Sequence, residues 1–182
     1  MTDLPPVGSA LVRRFDHVAI ATRDLARAVV LFRDVLGGTF IGGGDDERLG
    51  IRTLQLKLPP GVKIELMQPL SSESYLARYL DRHGEGFHHV TLFVEDVPAA
   101  VAAAVEEGFE VVDTSLARPT WHETFIRPTS GFGTLIQLAV SDLQWTEPIH
   151  AGLTAQDVIA GRAAWVDDRP VLRSPTGPPS TP

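Results

Sequence analysis

The sequence has 182 residues, of which 43% are hydrophobic and 21% charged, with a formal net charge of -7, as expected for a globular protein with one sizeable core. The acidic balance argues against a nucleic-acid partner, which needs a clustered basic surface, and the absence of cysteine excludes disulfides and sulfur ligands. Residues 1–8 lack the pattern of a secretory signal and no apolar stretch approaches about 18 residues, so we expect a cytoplasmic protein without a membrane span.

The first half of the chain predicts a strand, a helix and three further strands. The strand segments are rich in Val, Ile, Leu and Phe, and the first of them alternates between its two faces. The helix has apolar residues at helical spacing, an N-cap at Asp24 and a stop at Gly37. The strands are predicted at residues 14–21, 39–42, 50–58 and 62–68, and the helix lies between the first two.

The second half repeats this order after a connector helix at residues 72–83. A strand is predicted at 86–94, a helix at 96–107, and strands at 110–112, 121–127 and 134–140. Each half therefore reads βαβββ, and the pattern predicts an α+β fold with one domain over residues 14–140.

Within that domain we expect two tandem βαβββ modules, residues 14–70 and 86–140, which pack as a pseudo-twofold metal-binding cleft. Residues 141–182 break the pattern and form a C-terminal extension. A short helix is predicted at 157–166, and the Pro-, Ser-, Thr- and Gly-rich residues 170–182 predict a mobile tail. A lid, a subunit-interface arm and disorder remain alternatives for the extension.

Four polar residues recur at one offset between the two halves. The run Phe15-Asp16-His17-Val18 matches Phe87-His88-His89-Val90, and Ile64-Glu65-Leu66 matches Ile136-Gln137-Leu138, each 72 residues later. On a strand these four side chains point away from their aliphatic neighbours. If the modules pack around a common axis, His17, Glu65, His89 and Gln137 converge.

Two imidazoles, one carboxylate and one amide oxygen suit a divalent transition ion such as Zn, Co, Ni, Mn or Fe(II), with positions left for water or substrate. The alternative is that each histidine is an isolated, hydrogen-bonded core residue. Recurrence of all four residues at one offset favours the metal site. His88, next to His89, is expected on the helix-facing side of its strand, and we interpret it as structural.

The βαβββ repeat with Asp16-His17-Val18-Ala19-Ile20 resembles the vicinal oxygen chelate superfamily, which includes glyoxalase I, extradiol dioxygenases and methylmalonyl-CoA epimerase. The segments IELMQPL (64–70) and GEGFHH (84–89) are most similar to the epimerases, and the likeness covers about residues 14–140. The resemblance implies the same four metal ligands, His17, Glu65, His89 and Gln137, and a homodimer.

The sequence departs from the epimerase pattern at its acid–base residues. That family usually has glutamine as the ligand of the first half and glutamate as the last ligand, whereas this chain has Glu65 and Gln137. The family's partner glutamate is expected at Thr53. In the second half, Glu123 falls opposite Ile51 on the face expected to line the cleft. We predict that Glu65 and Glu123 are the catalytic carboxylates, exchanged between halves; the alternative is a solvated Glu123.

The predicted activity is metal-dependent epimerisation or isomerisation by proton abstraction next to the carbonyl of an acyl-CoA thioester or a 2-oxo compound, through a metal-stabilised enolate. A glyoxalase-like lyase and an Fe(II) dioxygenase with a facial triad of two histidines and one carboxylate are alternatives, as is non-enzymatic binding of a small ligand. Arg52, Lys63 and Arg127 are available for CoA phosphates, although no sequence signal places them at the cleft.

Overall fold

The computed structural model describes residues 11–141 and 148–173. The strands are β1 (Val12–Ala21), β2 (Thr39–Asp46), β3 (Ile51–Leu58), β4 (Val62–Pro69), β5 (Gly86–Val94), β6 (Val111–Ser115), β7 (His122–Ile126), β8 (Ile136–Val140), β9 (Ala163–Val166) and β10 (Arg169–Leu172). The helices are α1 (Leu25–Val29), which continues as a π-helical segment over Val30–Val35, α2 (Tyr75–His83), α3 (Val97–Glu106) and α4 (Ala155–Ile159). The predicted α+β fold is confirmed.

The strands of the described residues form one mixed sheet, in the order β10-β9-β2-β3-β4-β1-β5-β8-β7-β6. The two halves meet where β1 and β5 pair in antiparallel fashion, and each half runs outward from there in the same strand order. The register repeats as well, because Val18 pairs with Ile64 in β4 and, 72 residues later, Val90 pairs with Ile136 in β8. Residues that match in sequence thus occupy matching places in the sheet.

Helices pack on both faces of the central strands. On one face, α1 contributes two buried aliphatic residues to a cluster that includes Val18 and Ile20. On the other face, α2 buries Leu76 and Leu80 against the small side chain of Ala19. Because successive residues of a strand point to opposite faces, His17 shares the face of Ala19, beyond the end that α2 covers.

Bulges interrupt the ladder between β1 and β5, and two of them lie at matching places in the repeat. Asp16 in β1 and His88 in β5, which are 72 residues apart, each stand as an extra residue that the register skips. A bulge breaks the alternation of side chains along a strand. The prediction that His88 lies on the helix-facing side is therefore wrong: its Nδ1 lies 2.8 Å from Nδ1 of His89, on the same side of the sheet.

The described part of the C-terminal extension joins the sheet. The helix predicted at 157–166 is wrong beyond Ile159, because Ala163–Val166 is strand β9, whose Ala164 pairs with Asp45 of β2. Pro170, predicted in a mobile tail, lies in β10; residues 174–182 of that tail are outside the described residues. The Pro- and Thr-rich composition concealed a strand that forms only because β2 offers an open edge.

Close packing fixes the extension against β2. A Cβ on Gly44 would lie 2.9 Å from the carbonyl carbon of Ala164, so glycine permits the two backbones to approach. Leu153 and Val158 of the extension are buried in the same cluster as α1. In the described part of the chain, no helix is long and apolar enough to span a membrane.

Candidate metal centre

Three neighbouring strands bring His17, Glu65 and His89 together. Their ligand-type atoms all lie within 4.8 Å of one another, His17 on β1, Glu65 on β4 and His89 on β5. Both histidines are buried and Glu65 is nearly so. Two imidazole nitrogens and a carboxylate oxygen form a donor set that divalent transition ions bind.

Asp16 fixes the orientation of the His17 ring. Its Oδ2 lies 2.7 Å from Nδ1 of His17 and 2.6 Å from Nζ of Lys63. Nε2 of His17 consequently faces the cluster, 3.6 Å from Oε2 of Glu65. In metalloproteins, a carboxylate that holds the second ring nitrogen of a histidine sets its tautomer and orientation. The pair Asp16–His17 therefore fits a metal ligand with its supporting group.

His88 stands beside His89 in the corresponding position. The Nδ1–Nδ1 contact leaves Nε2 of His89 as its remaining ring nitrogen, and the ring of His88 packs edge-on against Tyr79 with centroids 4.5 Å apart. Burial lowers the pKa of His88 to about 4, and burial together with the nearby His17 lowers the pKa of His89 to about 3. Both rings are therefore neutral at pH 7, the form that binds metals.

Glu65 supplies the negative charge of the cluster. Burial alone would raise its pKa, but His17, His89 and a hydrogen bond from Gln55 lower the pKa of Glu65 to about 2. Burial likewise would lower the pKa of His17, but Glu65 and Asp16 raise it above its usual value. A site that draws a proton onto a buried imidazole also attracts a cation that replaces the proton.

Gln137 and Glu123 extend the cluster toward the second half of the chain. Thr91 Oγ1 lies 3.0 Å from Nε2 of His17 and donates a hydrogen bond to Oε1 of Gln137 at 2.5 Å. Nε2 of Gln137 in turn donates to Oε2 of Glu123 at 2.7 Å, and Trp121 Nε1 donates to the same oxygen at 2.8 Å. Gln137 is thus beside the three clustered residues, with its amide already engaged on both sides.

A cavity of about 470 Å³ opens from the cluster. The clustered residues, Gln137 and Glu123 all line it, and Glu123 lies on the cleft-facing side that the offset predicts. Thr53 and Gln55 share that face of β3, as the alternation predicts. Four of the larger apolar walls are Tyr75, Trp121, Phe125 and Trp165.

The arginines at this cavity were not found from the sequence. Arg48 and Arg118 line it, whereas the three cations considered from the sequence do not. Those three form ion pairs elsewhere: Arg52 with Asp45, Lys63 with Asp16 and Arg127 with Glu110. Arg48 and Arg118 lie in loops, where no periodicity indicates the direction of a side chain.

Two further lining residues come from the extension. Trp165 of β9 donates a hydrogen bond from Nε1 to Oγ1 of Thr53 at 2.9 Å. Asp168, in the turn after β9, pairs with Arg118 and accepts a hydrogen bond from Thr120. The only sequence signal for these contacts is the run of glycines in β2 that admits the extension.

Comparisons with known proteins agree with this geometry. The sequence model of the glyoxalase/bleomycin resistance protein/dioxygenase superfamily matches residues 16–125. The ethylmalonyl-CoA/methylmalonyl-CoA epimerase of Cereibacter sphaeroides is 32% identical over 70% of this chain and 98% of its own. The Mycobacterium tuberculosis methylmalonyl-CoA epimerase structure is 31% identical, with a TM-score of 0.65 over 77% of this chain and 91% of that one. A variant of the Streptomyces coelicolor methylmalonyl-CoA epimerase in complex with 2-nitronate-propionyl-CoA is 27% identical, with a TM-score of 0.64 over 72% of this chain and 99% of that one.

Proposed function

The chain belongs to the glyoxalase/bleomycin resistance protein/dioxygenase superfamily, and from that membership we propose that it is a divalent-metal-dependent acyl-CoA epimerase. The observation that carries the proposal is the cluster of His17, Glu65 and His89 within 4.8 Å, at a cavity that also contains Glu123. The names of its relatives supply the substrate class, because they are epimerases of methylmalonyl-CoA and, in one case, also of ethylmalonyl-CoA.

We assign His17, Glu65 and His89 to the metal, with Gln137 as the fourth candidate ligand. Binding through Oε1 of Gln137 would require Thr91 to turn its hydroxyl elsewhere, since that oxygen accepts the Thr91 hydrogen bond. A bound divalent ion acts as a Lewis acid on the carbonyl oxygen and so acidifies the adjacent C–H bond. Manganese, iron(II), cobalt, nickel and zinc all accept such a donor set.

Glu123 is the proposed proton carrier at the α-carbon. Trp121 and Gln137 both donate to Oε2 of Glu123, so the carboxylate is held in one orientation within the cavity. Proton removal from one face and return to the other requires two groups on opposite sides of the substrate carbon. Glu65, across the cavity from the second half of the chain, is the proposed partner.

The charge of the cavity indicates which end of the substrate enters. Its lining contains five carboxylates, Asp46, Glu65, Asp113, Glu123 and Asp168, against the two arginines Arg48 and Arg118. An excess of negative charge disfavours the phosphates of CoA inside the cavity. We therefore place the acyl group and thioester inside and the phosphates outside.

The test combines metal analysis with proton exchange. Protein purified without added metal is analysed for metal per chain, and solvent-deuterium exchange is followed by NMR with a panel of acyl-CoA thioesters and 2-oxo compounds. The proposal requires about one metal per chain and exchange at the α-carbon of a thioester. Exchange only with 2-oxo compounds would refute the acyl-CoA assignment, and light scattering measures the proposed homodimer.

A second candidate is an Fe(II) dioxygenase, because two histidines and one carboxylate in one cluster match the facial triad of such enzymes. Oxygen uptake by the Fe(II)-loaded protein without α-proton exchange would favour it. The acid–base pair of carboxylates favours the epimerase, since ring cleavage does not need a second carboxylate.

A further inference from the structure

We infer that the β9–β10 hairpin makes the cavity selective for substrates whose α-carbon carries an apolar group larger than methyl, and that Trp165 contacts this group. The inference rests on the proposed epimerase function and names the substrate class of that site. The comparisons with curated relatives extend over about 70% of the chain, so the hairpin is a feature to be judged on its own contacts.

The hairpin is a fixed wall of the cavity. Its backbone pairs with β2 through Asp45 and Ala164, and Gly44 allows the close approach described above. Arg52 connects both parts further, because it binds Asp45 and donates to the carbonyl of Ile159 in α4. A side chain presented by this hairpin therefore keeps a defined place in the cavity.

The position of Trp165 relative to the clustered residues follows from β3. Trp165 bonds to Thr53, which lies two residues before Gln55 on the same face, and Gln55 donates to Oε1 of Glu65 at 2.9 Å. Two residues along a strand span about 7 Å. The indole thus stands roughly that far along the cavity wall from the group next to Glu65.

A methyl group on the reacting carbon projects by a single bond of about 1.5 Å and does not bridge that distance. The wall between is apolar, with Leu49 and Ile51 beside Trp165. The cavity of about 470 Å³ also lies within the range of pockets that enclose drug-sized ligands, roughly 300–1,000 Å³. A longer apolar substituent would fill this space, and each methylene that it buries is expected to improve binding about fourfold.

The experiment compares 2-methylmalonyl-CoA with 2-butylmalonyl-CoA, which has three more methylenes. Both kcat/KM for α-proton exchange and Kd by calorimetry are measured for the metal-loaded protein. We expect the native protein to prefer the butyl compound by at least about tenfold. Trp165→Ala should reduce this preference about tenfold, whereas Trp165→Phe, which keeps an aromatic wall, should reduce it less than about threefold.

Val166→Ala is the matched control, because Val166 follows Trp165 in β9, is half exposed and does not line this cavity. It should leave the preference unchanged. A native preference for methyl, or equal preferences in the native protein and Trp165→Ala, would overturn the inference. If neither thioester exchanges, the proposed epimerase function fails, while the ratio of the two Kd values still decides the role of Trp165. Trp165→Phe gives the decision if Trp165→Ala does not fold.

Discussion

Replacement of Asp16 by asparagine should affect both metal affinity and stability. Asp16 and Lys63 are 7% and 6% exposed, and one carboxylate oxygen contacts both Lys63 and His17. Although burial raises its pKa, hydrogen bonds and charges from His17 and Lys63 lower the pKa of Asp16 below its usual value, so it is charged at pH 7. Removal of one partner from a buried ion pair costs about 3–5 kcal/mol. Loss of a carboxylate that orients a metal-binding histidine costs about 10–100-fold in affinity, roughly 1.4–2.8 kcal/mol.

The two effects of Asp16→Asn can be separated with a second variant. In Asp16→Asn/Lys63→Met the ammonium is also gone, so urea unfolding should recover most of the lost stability, while competition titration with Zn or Co should still show weakened binding. Asp81→Asn is the control, because its ion pair with Arg23 is exposed and contributes at most about 1 kcal/mol. Metal binding by Asp16→Asn with native affinity would refute the role of Asp16 in orienting His17.

Three further predictions concern other parts of the molecule. Glu123→Gln should abolish deuterium exchange and keep the metal content, whereas Glu110→Gln, at an exposed ion pair, should exchange normally; full exchange in Glu123→Gln would sink the proton-carrier assignment. In metal-free protein Glu65 has its pKa lowered to about 2 from 4.5, so its stabilisation is complete above pH 4.5 and disappears as pH falls toward 2. Glu65→Gln should flatten that loss of unfolding free energy, about 3 kcal/mol, and an unchanged pH profile would contradict the shift. Gly44→Ala should destabilise by about 1–3 kcal/mol in thermal unfolding because its Cβ meets the β9 backbone, whereas Gly152→Ala, with 3.7 Å of clearance, should be neutral.

The sequence predicted the two modules and the convergence of their polar residues, because both follow from periodicity and from an internal repeat. Residues 72 apart occupy equivalent places in the sheet, as the register of β1–β4 and β5–β8 confirms. His17, Glu65 and His89 meet because their strands are neighbours. Their role as metal ligands, with Gln137, stays a prediction, as does the catalytic role of Glu123.

The misinterpreted residues share a physical cause. The alternation rule assigned His88 to the wrong face because a bulge inserts one residue without any composition signal. The extension was misread because β9 pairs with β2 at one bridge only, Asp45 with Ala164, and a short strand of this kind depends on its neighbour more than on its own sequence. Trp165 reaches the cavity through that tertiary contact.

The repeated bulges have a consequence for how the imidazoles keep their neighbours. Asp16 precedes His17 and His88 precedes His89, so each contacting group is attached to its imidazole by a single peptide bond. A tethered partner remains at high effective concentration even when distant parts of the sheet loosen. Deletion of either extra residue would remove the neighbour and at the same time turn the flanking strand over. The arrangement is therefore heritable as a dipeptide, and a recombination between the two halves would carry ligand and support together.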